Sequence, residues 1–73
     1  MSKADEMFEK LGTNKIENCD FCVYEGQVNK TSRILFNKIN KSIVFEGFNA
    51  IGMQELLAIN EKIKELRLEW VKN

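Results

Sequence analysis

The chain has 73 residues, the size of one small domain that buries only about 60% of the surface its unfolded form would expose. Its 44% hydrophobic content excludes a disordered chain, and 11 basic residues against 11 acidic ones exclude a strong overall pull toward nucleic acid or acidic membranes. No apolar run approaches the roughly 18 residues of a membrane span, and the acidic N-terminus lacks a signal-peptide core. The expectation is a single domain over residues 1–73, in the cytosol, with no membrane partner.

In chain order, Ala4, Met7, Phe8 and Leu11 follow the i, i+3, i+4, i+7 spacing of one helical face. Ser2 is placed to cap this helix, Asp5 and Glu6 suit the positive end of its dipole, and Gly12 suits its C-terminal stop. From Thr13 to Glu46 the period becomes two. "NKIE", "FCVYE", "SRILFN" and "KSIVFE" read as strands, rich in residues that suit a pleated surface. In the second, Phe21 and Val23 share one side, and Cys22 and Tyr24 the other. The breaks at "NCD", "EGQVNK" and "NKIN" are short and polar, which favours antiparallel hairpins.

The loop "EGFNAIG" leads to a long final helix with Gly52 at the N-cap and Glu55 three places on. Leu56, Ile59, Ile63, Leu66 and Trp70 form its apolar stripe, widened at the start by Met53 and Leu57. Glu61, Lys62, Glu65 and Glu69 are assigned to the opposite face. The predicted fold is α+β: an antiparallel meander sheet of three or four strands packed on the long C-terminal helix, with the short N-terminal helix closing one side. The order is αββββα, or αβββα if "NKIE" fails to pair.

Both cysteines lie in "ENCDFCVYEG", three positions apart, and the chain has no histidine. Zinc takes four thiolate, imidazole or carboxylate ligands. Cys19 and Cys22 supply two, provided that "NCDFC" bends, and Asp20, Glu17 or another carboxylate could supply the rest. A second subunit could complete a shared site of four thiolates, which would require a homodimer. The alternatives are a reactive dithiol or two incidental thiols. No Gly-rich phosphate loop accompanies them, and without histidine a cysteine nucleophile lacks its usual base, so an enzyme is not expected.

Charge is unevenly spread. Lys30, Arg33, Lys38 and Lys41 fall in residues 26–45, which hold no acid. They are candidates for partner contact, or for a weak nucleic-acid surface. Most aromatics fall at core spacings. Tyr24, beside Cys22, and Phe48, in the loop before the last helix, are the two kept as partner-binding candidates.

The end segments "MSKADEMFEKLG" and "MQELLAINEKIKELRLEW" resemble a family of very short, mostly uncharacterised proteins encoded by phages, prophages and mobile elements of low-GC Gram-positive bacteria. The resemblance spans nearly the whole chain, with a variable strand region between the helices. The family pattern has Thr or Ser before "MQEL" where this chain has Gly52, and its members do not generally carry the cysteine pair. The resemblance implies mobile-element origin. Some small proteins of such elements are anti-CRISPR inhibitors, which bind a host RNA-guided nuclease and block it. The expected function is therefore non-enzymatic inhibition of a host defence nuclease by direct contact. A small nucleic-acid-binding accessory protein and a zinc-bridged homodimeric module are the alternatives.

Overall fold

The computed structural model describes residues 2–28 and 31–72, with side chains described as far as residue 67 in the last helix. Six elements follow one another: α1 (Lys3–Lys10), β1 (Thr13–Glu17), β2 (Phe21–Gly26), β3 (Arg33–Asn37), β4 (Ser42–Glu46) and α2 (Met53–Lys72). This is the αββββα order, with "NKIE" paired after all. The strands form one antiparallel sheet in the order β1-β2-β3-β4.

Local chemistry sets the boundaries. The Ser2 hydroxyl accepts a hydrogen bond from the Asp5 amide at 3.0 Å, satisfying a donor that the first turn of α1 leaves orphaned. Gly12, at φ +79°, takes the left-handed turn that ends the helix. Asn18 folds the β1–β2 turn: its side-chain oxygen accepts from the amides of Asp20 and Phe21 at 2.7 and 3.0 Å. Asn37 does the same for Ile39 and Asn40 in the β3–β4 turn. Gly47 is left-handed at φ +76°, and any side chain there would collide with the Thr31 carbonyl. At the start of α2, the Glu55 carboxylate accepts from the Gly52 amide at 2.9 Å. This is one half of a capping box, the half that glycine leaves intact.

The register sorts every strand residue onto one of two faces. The inner face carries the rows Glu17–Cys22–Phe36–Ile43 and Lys15–Tyr24–Ile34–Phe45. Both helices pack on it: Phe8 of α1 and Ala58, Ile59 and Leu66 of α2 join Cys22, Tyr24, Ile34 and Phe36 in one buried cluster. The helices run antiparallel, since Glu65 of α2 accepts from the Ala4 amide while Leu11, at the other end of α1, borders the same cleft as Glu55. The Phe8 and Tyr24 rings stack at 3.8 Å, and Phe36 meets both edge-on. Such pairs add to the free energy of area burial.

The buried stripe of α2 is rotated from the expected one. Ile59 and Leu66 are buried and Ile63 half-buried, but Leu56, Leu57 and Met53 are exposed. Lys62, assigned by pattern to the solvent side, is buried, with Nζ 5.9 Å from the centre of the Tyr24 ring. α1 lies beside α2, as the bond from the Ala4 amide to Glu65 shows, and that second contact is one that a pattern built for the sheet alone leaves out. The expectations for Glu69 and Trp70 fall outside the described side chains.

Candidate functional site

Cys22 and Cys19 occupy different environments. The "NCDFC" bend exists, made by Asn18, but β2 begins at Phe21 and directs Cys22 into the core, where it is fully buried. Cys19 and Asp20 remain exposed in the turn, and both thiols are free. Burial raises the Cys22 thiol above its ordinary value, against the smaller opposing effects of its hydrogen bond with Tyr24 and the positive charge of Lys62. It is a poor thiolate, hence a poor nucleophile. Among the described residues no three Cys, Asp or Glu side chains gather as a metal cluster. A metal shared with a second subunit would have to draw Cys22 out of the core.

Tyr24 is buried as well, which corrects its place among the surface candidates. Its ring belongs to the aromatic cluster, and its hydroxyl donates to Asp5 at 2.7 Å. Burial, the Asp5 hydrogen bond and the neighbouring thiol all push its pKa up, so it stays a neutral donor. From this bond a chain of charges runs along the β1 margin. Lys15 Nζ lies 2.8 Å from both Asp5 and Glu17, and Glu17 is 2.7 Å from Lys38. Burial works against the Glu17 carboxylate, but hydrogen bonds from Lys15 and Lys38 outweigh it and bring its pKa from 4.5 down to about 2. Asp5 is lowered for the same reason: burial opposes its charge, and bonds from Lys15 and Tyr24 prevail. Burial works against the Lys15 charge, but Asp5 and Glu17 outweigh it and hold Lys15 protonated above its ordinary value. The network seals the open edge of the core with charge.

Among the described residues, the basic candidates Arg33, Lys38 and Lys41 do not form one patch. Arg33 starts β3 on the outer face, 3.8 Å from Glu25. Lys38 opens the β3–β4 turn and clamps the β1–β2 turn through Glu17 and the Asn18 carbonyl. Five residues of strand separate the two by about 16 Å. Lys41, left-handed at φ +58°, sits exposed in the β3–β4 turn, at the Lys38 end. Lys30 lies outside the described residues. Phe48 is half-buried and meets Phe45 edge-on at 6.5 Å, bordering a cleft of about 130 Å³ with Phe8, Tyr24 and Ile34.

One surface with a capacity for contact is one that the sequence reading did not single out. On the outer face, Ile16, Val23, Leu35 and Val44 stand side by side across all four strands. Both helices lie on the other face. The row's ends are open, Ile16 at 51% and Val44 at 45% exposure, while Leu35 is half-buried and Val23 is buried at 5%. A polar row, Asn14–Glu25–Arg33–Glu46, borders it. The signal was present in "ILF" and "IVF": three consecutive apolar residues in a strand place apolar groups on both faces, where a half-buried strand would alternate.

No family model, curated protein or solved structure matches the chain.

Proposed function

We propose that this chain is a stoichiometric protein-binding inhibitor, and that its outer sheet face is the binding surface. The observation that supports this is the apolar row Ile16–Val23–Leu35–Val44 on the face away from both helices, whose end residues Ile16 and Val44 are exposed. Exposed apolar groups at the two ends of the row, with Leu35 half-buried and Val23 buried between them and a polar row alongside, have the composition of a protein contact surface. Cys22 and Tyr24, the chemically distinctive side chains of β2, are committed to the core and serve stability in this reading.

The partner class comes from the resemblance of the two helices: a host defence nuclease of the RNA-guided kind, bound directly and blocked. The division of the described basic residues, Arg33 at one end of β3 and Lys38 and Lys41 at the other, favours protein contact over a nucleic-acid groove, which would gather cations along one track. The test compares the parent with Ile16→Lys, a change at an exposed position, in parallel pull-downs from host-cell extract. The reading expects an RNA-guided nuclease in the parent eluate and its loss with the variant. Nucleic acid alone in the eluate, or equal nuclease recovery by both proteins, would overturn it.

A further inference from the structure

The two edges of the sheet are built differently. β1 turns Lys15 and Glu17 toward the inner face, and their ion pairs with Asp5 and Lys38 blunt that edge against a further strand. β4 has no such device. Its middle is Ile43, Val44 and Phe45, flanked only by Ser42 and Glu46, without proline or lysine in the strand. Val44 and Phe45 are each 45% exposed. A strand of this kind offers its unpaired backbone to another strand.

We infer that β4 pairs antiparallel with β4 of a second copy of this chain, joining two sheets into one of eight strands. The sequence of β4 is complementary to itself about Val44. In that register Val44 faces Val44 of the other copy, Ile43 faces Phe45, and Ser42 faces Glu46, so all five residues of the strand are engaged. A shift of the centre to Ile43 or Phe45 draws turn residues into the pairing and leaves an end of the strand unused. Aromatic residues opposite β-branched ones are favourable cross-strand pairs, and no like charges meet. Glu46 already has Arg33 as its neighbour on β3.

The twofold axis stands perpendicular to the sheet. All four helices therefore stay on one side, and the outer apolar row of one copy continues into that of the other through the Val44 pair. The contact is isologous and closes on itself. Pairing of β4 with β1 would instead extend without limit, and the charged inner side of β1 disfavours it. A five-residue strand edge falls well short of the roughly 800 Å² per partner of a stable interface. The dimer is accordingly weak and grows with concentration. It is independent of the proposed inhibition, which either form could perform.

The mass of the parent chain in solution, measured across rising concentration by sedimentation, should climb from 8.5 kDa toward twice that value. The register is tested by Val44→Cys in a Cys19→Ser background. Opposed residues in an antiparallel pair have Cα atoms about 4.5–5.5 Å apart, within reach of a disulfide. Mild oxidation should then link two chains through position 44, while Ile16→Cys in the same background, on the blunted edge, should stay unlinked. A parent that remains monomeric at every concentration overturns the proposal. So does a rise in mass without the Val44 cross-link, or cross-linking at Ile16 as efficient as at Val44, which would indicate face-to-face association.

Discussion

Replacing Tyr24 with Phe removes one oxygen and keeps the ring that stacks on Phe8 and meets Phe36 edge-on. What is lost is the 2.7 Å hydrogen bond to Asp5, whose side chain is only 15% exposed and which also holds Lys15. A hydrogen bond to a charged group contributes about 1.5–3 kcal/mol, and leaving its acceptor half-satisfied incurs the desolvation cost. That is a large part of the 5–15 kcal/mol typical of whole domains. For a chain of this length each 1 kcal/mol lowers Tm by about 4–8 °C. Urea unfolding should show a lower midpoint at unchanged m. The Asp5→Asn, Tyr24→Phe cycle should show coupling of about 0.5–3 kcal/mol. The deficit should narrow as pH falls below 3.8, the ordinary value from which the Tyr24 bond helps to depress Asp5. A Tyr24→Phe variant within about 0.5 kcal/mol of the parent at neutral pH, with no coupling to Asp5, would refute the network.

Leu66→Ala should cost about 2–5 kcal/mol and Leu56→Ala no more than about 0.5 kcal/mol, because only Leu66 is buried; equal losses in thermal unfolding would restore the unrotated stripe. Acid should destabilise the fold through Glu17. Its pKa is depressed from 4.5 to about 2, so its contribution is complete above pH 4.5 and disappears as pH falls toward 2. Since its side chain is 33% exposed, screening limits this to about 1 kcal/mol, and a melting temperature flat across that window would count against the Lys15–Glu17–Lys38 pairs. In native protein a thiol reagent should modify Cys19 promptly and reach Cys22 only on unfolding, as mass spectrometry would show; equal rates would mean that Cys22 is not held in the core.

Much of the fold was legible because local rules and tertiary packing agree. Ser2, Asp5 and Gly12 mark α1 through capping chemistry, and Asn18 and Asn37 mark turns through bonds made within a few residues. The less legible features depend on contacts between distant segments. Lys62 reads as a surface residue until α1 is placed beside α2 and the Tyr24 ring beneath its ammonium group. Tyr24 and Cys22 share a strand face, as their spacing says, but parity cannot tell which face the helices cover. The cysteine spacing left a ligand pair, a dithiol and incidental thiols open, and it does not show that the two residues fall on either side of a turn-to-strand boundary that buries one and exposes the other. The outer row was encoded in the unbroken apolar triplets of β3 and β4, a weaker signal than alternation because it is equally compatible with burial on both faces.

The central claim is inhibition by stoichiometric contact through the outer face, and DNA cleavage by the host's purified RNA-guided nuclease tests it most directly. Cleavage is followed while the protein is titrated against a fixed amount of enzyme. The account predicts that activity falls linearly and stops at a fixed molar ratio, and that Ile16→Lys, folded by circular dichroism, leaves cleavage intact. Full cleavage in the presence of excess parent protein, or inhibition undiminished by Ile16→Lys, would contradict it.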